Sequence, residues 1–218
     1  MLDHPGIDVK SKASRGATAL HLAAEAGHVD VVELLLTQPG FAVNYWYPGP
    51  LLEPYANIAD GYGRTAVDHA VWEGHTETVS ILLEQPEIDV TGQLLLHCAV
   101  DKSHTDVVAL LLSCPGIDVN EKDDWGETAL HYAMHPFYGH IDPDILRKML
   151  INPDIDPNVK SFSGYTPIIM LLLDSRLLLE RNNNIDIQRD CLQAMVESSR
   201  VDLEVKHPWG LGLEDLAG

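Results

Sequence analysis

Eleven histidines and three cysteines are the side chains of this 218-residue chain that first invite a chemical reading. His131 and His135 stand four apart, which places two imidazoles on one face of a helix, as a zinc site needs. The HExxH glutamate that would make such a pair a hydrolase is absent. Cys98, Cys114 and Cys191 are far apart and form no CxxC pair. That pattern argues against a metal knuckle and a disulfide framework and suits a reducing compartment. No Gly-x-Ser-x-Gly elbow, P-loop or GxGxxG follows a strand-like run. The carboxylate pairs Asp123–Asp124 and Asp142 with Asp144 fall in predicted turns or loops, where solvated surface is their reading. Neither catalysis nor a cofactor nor a metal is expected.

Charge narrows the partners. Thirty-three acidic against 14 basic residues leave a net charge of −19. A surface this negative repels phosphate backbones and anionic lipid, so nucleic acid and membranes are excluded as expected partners and a basic protein surface is favoured. No uninterrupted apolar run approaches the roughly 18–20 residues that span a bilayer. Met1–Gly6 lacks the basic flank and apolar run of a signal peptide. A cytoplasmic or nuclear location follows as the expectation.

Two phrases recur along the chain. Gly16-Ala17-Thr18-Ala19-Leu20-His21-Leu22-Ala23-Ala24 is matched by Gly126-Glu127-Thr128-Ala129-Leu130-His131-Tyr132-Ala133. Weaker copies start at Gly63 and Gly164, and Leu94-Leu95-Leu96-His97-Cys98-Ala99 keeps the helix without the Gly-x-Thr lead-in. The second phrase, Leu35-Leu36-Thr37-Gln38-Pro39-Gly40-Phe41-Ala42-Val43-Asn44, returns as Leu111-Leu112-Ser113-Cys114-Pro115-Gly116-Ile117-Asp118-Val119-Asn120, with further copies from Leu82, Leu150 and Val196. Thr18, Thr65, Thr128 and Thr166 stand where a side-chain oxygen can cap a helix. Small residues such as Ala23, Ala70 and Ala133 permit close helix packing. Val31, Val32, Leu34, Leu35 and Leu36, and likewise Val107 to Leu112, form the apolar stripe of a second helix. One such pair cannot bury its apolar faces alone, so copies must stack.

These phrases, in this order, resemble the ankyrin repeat, a β-turn followed by two antiparallel helices with a Thr-Pro-Leu-His-x-Ala signature. The resemblance implies an all-α solenoid with short β-hairpins, about five units plus partial ends, working as a protein-recognition module. The units are read as 11–44, 45–91, 92–120, 121–158 and 159–204, with partial repeats at 1–10 and 205–218. Both ends cut through units, as they would in one region of a longer polypeptide or in capping half-repeats. The resemblance also absorbs most histidines. His21, His97 and His131 take the signature column, whose ring ties neighbouring turns together, while His28, His75, His104 and His140 fall in the turn between helices. Asn44 and Asn120 lie where members of the family resemble substrates of an asparaginyl hydroxylase.

Irregular spacing points to the recognition residues. Unit two is 13 residues longer than the natural repeat, and the excess lies within Tyr45–Ile58, a proline-stiffened stretch carrying Tyr45, Trp46, Tyr47 and Tyr55. Such a loop is read as a partner anchor or as a flap folded onto the solenoid. Tyr62 and Trp125 precede hairpin glycines, Trp72 and Glu73 end a first helix, and Phe137 and Tyr138 lie in an inserted stretch on the same side. Arg64, Asp101, Lys102 and Glu127 complete the candidate contacts. A second insertion, Leu177–Asn184, ends in an asparagine run and reads as a surface loop. The expected function is rigid presentation, on a concave face, of hairpin tips and first-helix ends to a protein or peptide by a monomeric domain. The alternative is an architectural spacer within a larger protein.

Overall fold

The computed structural model describes residues 11–38, 55–134, 142–178 and 185–204. They form ten α-helices and two 3-10 turns, and no strand forms among them. Contacts divide the chain into two compact units, Met1–Gln93 and Leu94–Gly218.

The first unit holds α1 (Ala19–Glu25), α2 (Val29–Leu36), α3 (Ala66–Glu73) and α4 (Thr76–Leu83). Helix α1 packs on α3 and α2 on α4, so first helices stack on first helices and second on second. Leu20, Ala23 and Ala24 meet Val67, Ala70 and Val71 in a core where the alanines allow close approach. The stripe of α2 buries Val32 and Leu35, whereas Val31 and Leu34 stay about two-fifths exposed. The second unit repeats the plan with α5 (Leu95–Asp101), α6 (Thr105–Ser113), α7 (Ala129–Met134), α8 (Pro143–Ile151), α9 (Pro167–Leu178) and α10 (Ile185–Glu197). There α5, α7 and α9 make one row and α6, α8 and α10 the other.

The repeated motifs have clear local causes. Glycines 16, 63, 92, 126 and 164 all have positive φ, closing the turn ahead of each first helix. The expected hairpins exist as tight turns: Asp60 N–H donates to Arg64 O at 2.8 Å and Asp123 N–H to Glu127 O at 2.9 Å. Successive turns meet through one main-chain bond each, Gly61 N–H to Arg15 O at 2.6 Å and Phe162 N–H to Trp125 O at 2.9 Å, which is too little pairing for a ladder.

Signature histidines carry the coupling between repeats. His21 Nδ1 accepts from the Thr18 amide at 3.1 Å and lies 2.8 Å from Thr18 Oγ1, while Nε2 meets the Arg64 carbonyl at 3.1 Å. His131 does the same with Thr128 and the Tyr165 carbonyl. A carbonyl only accepts, so Nε2 carries the proton and Nδ1 is the acceptor: each ring is a neutral Nε2–H tautomer. In α3 the column is taken by Asp68, which caps Thr65 at 2.7 Å. His97 keeps the long-range bond, to Glu127 O at 3.1 Å. Its Nδ1 has no partner among the described residues, because Leu94 has replaced the capping threonine and adopts a left-handed φ of 49°.

A second tie uses asparagine. Asn120 donates to Asp154 O and accepts from Asp156 N–H; Asn158 does likewise with Arg200 O and Asp202 N–H. In the first unit the role falls to Asn57, with Glu87 O and Asp89 N–H. Arg200 adds a clamp, its guanidinium donating to the carbonyls of Leu150, Asn152, Pro153 and Ile155. Among the described residues these ties are denser in the second unit. Hydrogen exchange is therefore expected to be slower at the amides of α7 and α8 than at those of α1 and α2, and a uniform protection level would contradict this. One buried polar group works against stability. Thr78 of α4 is fully buried and its hydroxyl has no partner among the described residues. Thr78→Val should raise stability by roughly 1 kcal/mol in thermal melts, and an unchanged or lower melting temperature would mean the hydroxyl is satisfied.

Candidate functional site

The turn tips are the most exposed aromatic positions described. Each tip is built on an inward-facing polar residue that accepts main-chain amides. Asp123, read as solvated from its neighbour Asp124, is buried: its Oδ1 accepts from Trp125 N–H at 2.9 Å and Glu127 N–H at 2.8 Å, and its Oδ2 from Tyr132 Oη at 2.9 Å. The carboxylate turns inward because two amides of a tight turn converge on it, which compensates its loss of water. Asp60 plays the same part in the first unit. Partial burial pushes its pKa up, but the amides of Arg64 and Tyr62, then His69 and the Arg64 charge, outweigh this and hold it at about 2.

On these bases stand Trp125, 62 % exposed, and Phe162, 75 % exposed. They are adjacent, since Phe162 N–H bonds the Trp125 carbonyl. Gly126 lies under the Phe162 ring, so close that a Cβ there would fall 2.5 Å from ring carbon Cδ1. Only glycine leaves the ring that place. Lys122 braces the same turns by donating to Lys160 O at 2.9 Å. Sequence reading found Trp125 and missed Phe162, which stands one position earlier in its turn. The main-chain register that brings the two side by side is a tertiary property.

The other candidates separate clearly. Tyr62 is 60 % exposed and Trp72 is 45 % exposed at the end of α3, beside exposed Glu73. Arg64 is half-buried beneath Tyr62. Asp101 and Lys102 are half-buried and pair with each other at 3.1 Å. Glu127 is half-buried, its carboxyl pushed up by burial and by Asp123, and its carbonyl serves His97. Tyr55 is 1 % exposed in the 3-10 turn Tyr55–Asn57 and so packs inward rather than facing a partner. Tyr45, Trp46, Tyr47, Phe137, Tyr138, Asn44 and His135 lie outside the described residues. Asn120 spends its amide on the tie to the next repeat.

Chemistry of the other kinds finds little footing. Both ring nitrogens of His131 are committed, and among the described residues no group of His, Cys, Asp and Glu is placed to hold a metal ion. Burial pushes the Cys191 thiol up to about 11 and raises that of Cys114, so neither is an activated nucleophile. No helix among the described residues is long and apolar enough to cross a membrane.

Comparison with known proteins agrees with this architecture. The crystal structure of EF0377, an ankyrin repeat protein, superposes with a TM-score of 0.64 at 19 % identity, covering 88 % of this chain and 85 % of that one. The human ASB11 ankyrin repeat domain gives a TM-score of 0.64 and 19 % identity over 98 % of this chain and 82 % of that one. No curated protein sequence matches. The family model "Ankyrin repeats (3 copies)" matches residues 1–93, 50–123 and 96–191. Ankyrin repeats are generally protein–protein interaction modules and typically have no enzymatic activity. Matched repeats over most of its length, stacked helix pairs, and turn histidines that tie one repeat to the next make this chain a member of the ankyrin repeat family.

Proposed function

We propose that the chain is a protein-recognition module whose turn tips carry the contact, with Trp125 and Phe162 as the anchor of the second unit and Tyr62 and Trp72 as contacts of the first. The adjacent exposed pair on a rigid turn carries this reading. Large apolar side chains are seldom left in water side by side, and tryptophan is enriched where binding energy concentrates. Their platform is fixed before binding, which keeps the ordering cost low. Glu25, Glu73 and the net charge of −19 favour a basic partner surface and speed encounter more than they deepen affinity. Asp101, Lys102 and Glu127 contribute at the margin of such a contact, because each is half-buried.

The reading is tested by affinity capture with the intact chain and with a Trp125→Ala/Phe162→Ala variant of equal helical circular dichroism. A partner retained by the first and lost by the second supports it, and its binding should weaken with added salt. Equal capture by both would move the contact elsewhere, and salt-insensitive binding would remove the electrostatic part. Empty captures would favour an architectural spacer.

A further inference from the structure

The first unit, Met1–Gln93, contains four basic residues, Lys10, Lys12, Arg15 and Arg64, set in an acidic background. Folding brings the two arginines onto one aromatic ring. Their guanidinium carbons lie 5.8 Å (Arg15) and 5.1 Å (Arg64) from the centroid of the Tyr62 ring, and exposed Lys12 lies three residues before Arg15. The arrangement is locked by main chain. Gly61 N–H donates to Arg15 O at 2.6 Å, and a Cβ on Gly61 would fall 2.8 Å from that oxygen, so the two turns meet in contact. Arg15 itself holds a left-handed φ of 67°, a conformation that disfavours its side chain.

The carboxylate beneath offsets one charge of the cluster, and a net positive charge remains. The Asp60 side chain is 3 % exposed, with Oδ1 taken by the amides of Tyr62 and Arg64 and Oδ2 by His69 Nε2 at 3.0 Å; the Arg64 guanidinium pairs with the same Oδ2 at 3.7 Å. Among the described residues Arg15 has no carboxylate partner. Tyr62 is 60 % exposed, and both guanidinium carbons lie within 5.8 Å of its ring centroid.

We propose that this arginine–tyrosine–arginine tip is a docking site for an acidic peptide segment of a partner protein. A guanidinium offers two parallel donors matched to a carboxylate, and stacking on an aromatic ring fixes its plane in advance. Two guanidiniums close to one ring suit a segment with neighbouring Asp or Glu side chains. The surrounding negative charge discriminates against long polyanions such as nucleic acid, since a rod of phosphates would meet repulsion wherever it overran the tip. The site rests on the reading of the chain as a recognition module but is separate from Trp125 and Phe162.

The full chain would be titrated with a fluorescein-labelled polyglutamate peptide short enough to stay on the tip, with polyglutamine of the same length as control, reading anisotropy and amide chemical shifts. Arg15→Gly removes one charge while relieving the left-handed backbone, so lost binding would not reflect lost folding. Shifts are expected at Arg15, Gly16 and Gly61–Arg64. Arg15→Gly should weaken binding roughly threefold, and Arg15→Gly with Arg64→Gln roughly tenfold. Trp125→Ala/Phe162→Ala should leave it unchanged, which separates this site from the other surface. No binding, equal affinity for polyglutamine, equal affinity in the double arginine variant, or displacement by polyuridylate in preference to polyglutamate would each overturn the proposal.

Discussion

Acidification from pH 6.5 to about 4 is expected to strip stability from the chain, because the signature histidines fold only as neutral rings. His131 is fully buried, and burial is the main reason its pKa falls to about 4. The Lys122 and His97 charges push the same way, while the Tyr165 carbonyl and Asp123 oppose them. Protonation would place a hydrogen on Nδ1, the atom that accepts from the Thr128 amide at 3.0 Å. The unfolded chain takes up that proton near 6.5 and the folded chain does not until about 4, so the unfolded state binds more protons between those values. This contribution is thus fully present above 6.5 and is lost as pH falls towards 4. For His131 alone it is on the order of 3 kcal/mol. His21 and His97, also lowered chiefly by burial, add in the same direction. Asp60 acts in a separate, lower window, its stabilisation fading as pH drops from 3.8 towards 2. Urea unfolding at a series of pH values reads the slope directly. His131→Gln should be less stable at neutral pH but flatter across the window. A wild-type profile that is flat between 6.5 and 4 would show that these rings are not held neutral.

Loss of Trp125 and Phe162 together should cost partner affinity about 2 kcal/mol or more, roughly thirtyfold in Kd, while the melting temperature barely moves. The separation of effects follows from exposure. Side chains 62 % and 75 % exposed contribute little to the folded core, but a partner would desolvate them completely. The two should not act additively, because their backbones are bonded. Gly126→Ala offers a control on placement: a Cβ 2.5 Å from Phe162 Cδ1 must displace that ring while leaving Trp125 in the sequence. Its affinity loss should lie between the wild type and the double alanine variant, with some loss of stability from the positive φ of 74°. Binding of a purified partner, measured by calorimetry beside thermal melts, distinguishes these outcomes. A double variant that binds like wild type would place the contact away from the second unit's tips.

Sequence by itself determined the elements and their chemistry column by column. The Gly-x-Thr phrase marked the turn and start of α1, α3, α7 and α9, and the glycines do adopt positive φ there. The histidine column foretold the ties between turns, and where the sequence loses the Gly-x-Thr lead-in before α5 the structure has a left-handed Leu94 and a His97 Nδ1 without a partner among the described residues. These features are local or strictly periodic, so a single copy of the motif contains their cause. What the tertiary structure alone decided is which residues of different repeats meet. Asp123 reads as surface from its neighbours and becomes buried because the turn amides fold onto it. Tyr55, in a loop that reads as an anchor or as a flap on the solenoid, packs inward, while Asn57 near it takes the tie that Asn120 makes in the second unit. Phe162 reaches Trp125, and Arg15 and Arg64 reach Tyr62, through one main-chain bond at each turn junction. Periodicity reports which face a residue takes. Insertions reset the register between copies, and contacts across that register depend on how the backbones finally dock.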